Sequence, residues 1–395
     1  MKSCSVKKKV DCIQSLRCKW KDSKCKSKCK NTHFFNFNSK RCKKKPDNIT
    51  IQPIVEKRLY EKQCQSFKFL GSGVYGCVVI PSIQTNDKIY ENISSKISKS
   101  KDIGKVFKKE KSFYQELKIA KLINKIDPKH TFTTELRSAS KIPYQIIKCN
   151  SKLTSCLNPR PYQNYYQIVY EYGGIDLYQP FSLKYKDLLF LFTKFIRGML
   201  VLSKLGYIHW DIKKDNVVIK KRKISLIDFG LMVRAKDIFN GEYNLENHSG
   251  YPSEFKLANK YIARNIHLKD ASAFEEYTNY LLENHYISED LQKFLRKNKK
   301  KQFYEVFTQE IALKADVYAI SFILEELYRR VKDIDYEDRV YFENLIQKCR
   351  DKNPETRYNM IKLYNSLVSK IKTSKIKGGS NLFLESTYCF KSDKV

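Results

Sequence analysis

The chain has 395 residues, of which 42% are hydrophobic and 13% aromatic, so it can bury a large core and is not globally disordered. No stretch approaches eighteen consecutive apolar residues, which excludes a spanning helix, and the lysine-rich start Met1–Val10 lacks the apolar core of a signal peptide. The expectation is a soluble, intracellular body, and its formal net charge of +34 would draw acidic proteins, nucleic acid or anionic lipid. No aromatic-interleaved nucleic-acid motif accompanies that charge, so lysines spread over ordinary solvated faces are the competing reading.

Residues 1–48 form a basic, cysteine-rich arm, with Cys4, Cys12, Cys18, Cys25, Cys29 and Cys42 in a stretch short of aliphatic residues. Such a segment needs cross-links or metal to form a core. The spacings contain no C-x-x-C pair, so zinc, disulfides and reduced thiols in a flexible arm all stay open. Pro46 and Pro53 mark a linker, 49–66.

From Phe67 the pattern turns to short β-type runs. Phe67–Leu70, Cys77–Ile80 and Gly104–Phe107 read as strands, and Glu110–Ile126 reads as a helix with Phe113, Leu117, Ala120 and Ile123 on one face. Tyr144–Ile147 and Gln167–Tyr172 read as further strands, completing a small β-rich lobe over 67–173. After Gly173-Gly174 the chain is mainly helical over 174–372, with Leu188–Leu205 a long buried helix, and 373–395 is a tail. This predicts an α+β, bilobal architecture with a cleft at the glycine hinge.

Leu70-Gly-Ser-Gly-Val-Tyr-Gly-Cys-Val78 places G-x-G-x-x-G-x-V between two predicted strands. Gly71, Gly73 and Gly76, with Ser72, Val74 and Tyr75 between them, would let backbone N–H groups approach phosphate, while Leu70 and Val78 border an adenine pocket. The strand-turn-strand setting disfavours a dinucleotide-binding reading, which requires a helix next.

Val217–Lys220 and Ile224–Ile227, separated by a basic turn, predict an antiparallel hairpin whose open end carries Asn216 and Asp228 side by side. An amide oxygen and a carboxylate together suit Mg²⁺. Asp211 would stand beside that metal as a base for an incoming hydroxyl, and Lys213 would offset charge on a transferring group.

His209-Trp-Asp-Ile-Lys-Lys-Asp-Asn216 followed by Asp228-Phe-Gly230 resembles the catalytic and metal-binding loops of protein kinases, with Lys213 placed as in the Ser/Thr class. The resemblance runs from Phe67 to Lys372. It implies a protein-kinase-like fold and an ATP- and Mg²⁺-dependent transfer to protein hydroxyls. It also implies a clamping lysine paired with Glu116; Lys105 is preferred to the rival Lys108, which lies only eight residues before Glu116 and leaves little room to turn from strand into helix. In the segment Tyr170–Leu177, backbone groups of Glu171 and Tyr172 or Gly173 would meet the adenine edge, and Asp176 the ribose. Pro252-Ser-Glu254 with Arg357, and Asp316, fill the positions of lower-lobe anchors, which favours a protein substrate; basic grooves would prefer acidic ones.

The compact Lys105–Glu116 spacing and Ile126-Asp-Pro128 resemble divergent kinases of large double-stranded DNA viruses, implying host cytoplasm or a virion as location. Four departures stand out. Trp210 replaces the usual arginine, implying activity independent of activation-loop phosphorylation. Residues 81–99 and Thr131–Asn164 are expanded, and 61 residues separate Glu254 from Asp316. Within that insertion, 255–310, Ala271–Leu295 has helical spacing, readable as a structural pad or as a docking surface. A pseudokinase scaffold and a basic nucleic-acid-binding or virion structural protein are the rival functions.

Overall fold

The computed structural model describes residues 67–73, 75–92, 102–160, 163–239, 250–263, 270–284 and 287–374, and the backbone of five short strands before residue 45. Those five are β1 (Ser3–Cys4), β2 (Cys18–Lys21), β3 (Lys24–Ser27), β4 (His33–Asn36) and β5 (Arg41–Lys44). They pair as an antiparallel sheet in the order β1-β3-β2 and a β4-β5 hairpin. The cysteine side chains of this arm, and the choice between zinc, disulfides and thiols, lie outside the described residues.

The body is α+β, an antiparallel sheet region followed by a helical region. Strands β6 (Lys68–Ser72), β7 (Gly76–Ile80), β8 (Lys88–Glu91), β9 (Ile103–Phe107), β10 (Leu136–Ile142) and β11 (Tyr165–Tyr170) form one six-stranded antiparallel sheet. Their order is β6-β7-β9-β11-β10-β8. Because strand side chains alternate, β9 serves two faces. Phe107 packs with Phe113, Leu117 and Ala120 of helix α1 (Glu110–Ile126), and Val106 points to the opposite core. That opposite core is closed by α2 (Tyr144–Cys149) and α3 (Ser151–Leu157) through Ile146, Ile147, Leu153 and Leu157.

One sequence expectation is overturned here, and the two expanded segments acquire defined structure. Tyr144–Ile147 is helix α2 rather than a strand: Pro143 supplies an extended N-cap and the two isoleucines pack sideways into the sheet. The strand is the more polar Leu136–Ile142, whose buried Ser140 accepts from Gln167 across the sheet. Residues 81–99 include β8, an edge strand with charged, exposed side chains, a usual way of blunting a sheet edge. In the Thr131–Asn164 expansion, Cys156 of α3 forms a disulfide with Cys77 of β7.

The helical region is built on α4 (Tyr185–Lys204), whose Leu188, Phe192, Phe195, Ile196 and Met199 are buried. It carries a small sheet of β12 (Ile175–Asp176), β14 (Val217–Lys220) and β15 (Lys223–Leu226), while β13 (Tyr207–Ile208) pairs with β16 (Val233–Arg234). Helices α5 (Ser253–Ala263), α6 (Ala271–Asn284), α7 (Glu289–Asn298) and α8 (Phe303–Val306) follow, then α9 (Gln309–Tyr328), α10 (Tyr336–Cys349) and α11 (Met360–Thr373). The helical run expected over Ala271–Leu295 is two helices, α6 and the start of α7, with Phe274, Tyr277 and Leu281 buried and Leu282 partly so. The 255–310 insertion packs into an aromatic-rich core that it shares with Ile208, Trp210, Val233, Phe239 and Tyr251 of the helical region. Among the described residues no helix is long and apolar enough to cross a membrane.

Candidate active site

Between the sheet and the helical region lies a cleft of about 610 Å³, within the range of small-ligand sites. Its roof is the β6–β7 turn. A Cβ added at Gly71 or Gly73 would meet nothing within 4 Å, so the backbone there is open to a ligand. Gly76 is glycine for another reason: a Cβ would fall 2.0 Å from the Val106 carbonyl oxygen of the neighbouring strand. Lys108 reaches back to this turn, its Nζ donating to the Gly73 oxygen at 3.2 Å. Leu70, Ser72, Tyr75 and Val78 line the same opening, and Val74 lies outside the described residues.

Lys105, at the centre of β9, donates to Glu116 Oε2 at 2.7 Å and to Asp228 Oδ1 at 3.0 Å. The α1 face that buries Phe113, Leu117 and Ala120 also buries Glu116, so the helix period aims this carboxylate at the strand. Burial opposes the charge on Lys105, yet the two carboxylates outweigh it and hold the ammonium above its usual range. Burial likewise opposes the charge on Asp228, but Lys105 beside it holds that carboxyl below its usual range. Burial pushes Glu116 up, with Lys105 pulling against it. Two carboxylates thus share one cation, an arrangement that leaves negative charge for a further cation to neutralise.

Glu171 and Gly173 border the cleft where the two regions join. The Glu171 amide donates to the Glu135 oxygen at 2.9 Å, and the Tyr172 oxygen accepts from Lys220 Nζ at 2.9 Å. The Glu171 amide and the Tyr172 carbonyl are therefore committed within the fold, which excludes both from meeting a ligand edge. Asp176 also lines the cleft, and its Oδ1 caps the following turn through the amides of Tyr178 and Gln179 at 2.9 and 3.2 Å.

Asp211 is buried and is bonded to cleft-lining residues rather than lining the cleft itself. Lys213 Nζ reaches its two oxygens at 2.9 and 3.0 Å, and Asn216 Nδ2 donates to Oδ2 at 2.8 Å. With its nitrogen so committed, Asn216 has its amide oxygen to offer a metal. The β14-β15 hairpin, extended by the Ile227 amide donating to the Asn216 backbone carbonyl at 2.9 Å, sets Asn216 and Asp228 on adjacent strand ends. An amide oxygen and a half-exposed carboxylate at one cleft wall are the hard oxygen donors that Mg²⁺ prefers.

Two residues here adopt left-handed backbone, Trp210 at φ 63° and Asp228 at φ 59°. For a bulky aromatic residue this costs about 1–2 kcal/mol and needs external support. Asp316 supplies it from α9, accepting from the His209 amide at 2.8 Å and the Trp210 amide at 3.3 Å. His209, fully buried, joins both loops: its Nδ1 accepts from the Asp211 amide at 3.2 Å, and its Nε2 lies 3.3 Å from the Ile227 oxygen.

Burial pushes the His209 imidazole down from 6.5 to about 4. Below pH 6.5 the unfolded chain takes up a proton that the folded one refuses, so this ring's contribution is complete above 6.5 and lost as pH falls towards 4. Asp316, pushed up to about 7 by burial, acts in the opposite sense between 3.8 and 7, so wild type must be compared with a variant. In denaturant unfolding from pH 7 to pH 4, the stability advantage of wild type over His209→Gln should shrink by about 3 kcal/mol. A constant advantage would contradict a neutral buried imidazole.

The sequence places Tyr170 in a strand but assigns it no role at the site. Tyr170, last in β11, directs its hydroxyl to Glu116 Oε1 at 3.3 Å, so that carboxylate is held from two sides. Only the pairing of β9 with β11, which sets Tyr170 opposite Ile103, brings it there. Comparison with family models and with curated proteins finds no match for this chain.

Proposed function

We propose that the chain is an ATP- and Mg²⁺-dependent serine/threonine protein kinase with a protein-kinase-like, two-lobed fold. The observation that carries this reading is the joint placement of the Lys105–Glu116–Asp228 triangle under an open glycine turn and the Asp211–Lys213–Asn216 group beside it. Phosphoryl transfer needs positioning and charge neutralisation more than covalent chemistry, and these residues supply both. Gly71, Gly73 and Gly76 would cover the phosphates, and Lys105 would orient them. Mg²⁺, held by Asn216 and Asp228, would neutralise phosphate charge. Asp211 would orient the substrate hydroxyl and take its proton, and Lys213 would sit against the γ-phosphate.

Several features support a protein substrate over a small molecule. The Glu254–Arg357 pair and the Asp316 clamp stabilise the floor on which an extended peptide would lie. The net charge of +34 favours acidic substrates. A viral origin, with action in host cytoplasm or carriage in a virion, extends the resemblance noted above. The Cys77–Cys156 disulfide favours a stage outside the reducing cytosol. A pseudokinase would lack one of Lys105, Asp211 or Asp228, and all three are present.

Radiolabelled ATP offered with a panel of acidic and basic proteins tests the assignment. Label should appear on phosphoserine and phosphothreonine, preferentially in acidic proteins, and chelation of Mg²⁺ should abolish it. Label confined to phosphotyrosine would exclude the serine/threonine class. Salt-sensitive DNA binding lost on deletion of residues 1–48, without any transfer, would favour the nucleic-acid reading.

A further inference from the structure

Two oddities of the sequence meet in space: Trp210, next to Asp211, and the helical insertion 255–310. The Trp210 ring is 3% exposed and stacks on Tyr251 with centroids 4.0 Å apart and planes 12° apart. It also lies 5.1 Å from Phe255, in α5 of the insertion. From Phe255 the rings continue without a break. Phe239 stacks on Phe255 at 5.3 Å, Phe239 meets Phe303 and Phe307 at 6.2 and 5.3 Å, and Phe303 stacks on Tyr261 at 5.0 Å. The insertion's core is thus continuous with the side chain of the residue preceding the proposed base.

The same residue needs holding. Its left-handed backbone is fixed on one side by Asp316, through the peptide N–H, and on the other by the ring stack. An arginine here would place a cation against the rings of Tyr251 and Phe255 in a largely apolar core, where an unpaired charge is costly. Among the described residues the site is therefore built for a flat apolar ring rather than for a cation that would meet a phosphate.

We infer that Trp210 is a positioning residue for Asp211, and that the helical insertion serves, through the Trp210–Tyr251–Phe255 stack, as a permanent brace on the catalytic loop in place of a phosphorylation-dependent one. This rests on the kinase reading above. Packed aromatic layers hold one arrangement sharply, and a base displaced by about 1 Å loses on the order of 100-fold in rate. The insertion would then be an activity-maintaining element as well as a pad.

The test compares steady-state transfer by the full-length wild type, Trp210→Ala, Trp210→Phe and Tyr251→Leu. All are assayed below the unfolding temperature of the least stable protein, with phosphatase-treated wild type alongside. Trp210→Ala should lose about 10- to 100-fold in kcat with the KM for ATP changed less than about threefold, and Trp210→Phe should recover most of the loss. Tyr251→Leu, which leaves Trp210 intact, should lose kcat in the same way and stands in should Trp210→Ala fail to fold. Phosphatase treatment should leave activity unchanged. Folded Trp210→Ala and Tyr251→Leu proteins with wild-type kcat would overturn the inference while leaving the kinase reading intact, as would loss of most activity on phosphatase treatment. An inactive wild type would overturn both.

Discussion

Asp211→Asn should lower the rate of phosphoryl transfer by about 10²- to 10⁴-fold, the range of a removed general base, with Mg²⁺–ATP affinity changed only a few-fold. The split follows from where Asp211 sits. Its carboxylate is held by Lys213 and Asn216, whereas Lys105 bonds to Glu116 and Asp228, so the contacts proposed for the nucleotide should survive its loss. What disappears is the carboxylate that Lys213 and Asn216 hold in place at 2.9 and 2.8 Å. An asparagine can still accept from Asn216, so the loop should keep its shape. A matched loss of nucleotide affinity and rate, measured by calorimetric titration beside the transfer assay, would place Asp211 in binding rather than in proton transfer.

Arg357→Leu should destabilise the fold by about 3–5 kcal/mol, the cost of leaving one partner of a buried ion pair without the other. Both side chains are fully buried, and the guanidinium holds both Glu254 oxygens, with Nη2 to Oε2 at 3.1 Å. Its Nε also donates to the Asp351 oxygen at 2.8 Å, so one side chain ties α5 to the loop before α11. Glu254 opens α5, and α5 carries Phe255, so the loss should also loosen the stack on Trp210. The double variant Glu254→Leu/Arg357→Leu should recover part of the stability, because no buried charge is then left alone. Denaturant midpoints for the three proteins check this, and a single-variant loss below about 1 kcal/mol would contradict the burial of the pair.

Much of the site's geometry was legible because it depends on local patterns. The β14-β15 hairpin fixes Asn216 against Asp228 by register alone, and the α1 helix period fixes which glutamate faces β9. The choice of Lys105 over Lys108 comes from the eight-residue separation of Lys108 from Glu116, and the structure adds that Lys105 reaches Glu116 while Lys108 turns to the glycine loop. Other features depend on partners distant in sequence. Leu136–Ile142 looks too polar for a central strand because Gln167, buried beside it, satisfies Ser140 and the Ile83 backbone. The Cys77–Cys156 bond spans 79 residues, and no spacing rule selects it from twelve cysteines. Trp210 was conspicuous as a substitution, but the rings against it come from Tyr251, just before the insertion, and from Phe255, its first residue, and neither contact had a local signature.

The most direct measurement is transfer of labelled γ-phosphate from ATP to a protein serine or threonine by wild type and by Asp228→Ala, with both shown to be folded. Asp228 is one corner of the triangle and the carboxylate proposed to hold Mg²⁺, and its side chain is 38% exposed at the cleft, so its removal should spare the fold. Magnesium-dependent transfer by wild type, reduced to background in Asp228→Ala, is the predicted result. Equal labelling by the two proteins, or none by either, would contradict the kinase assignment.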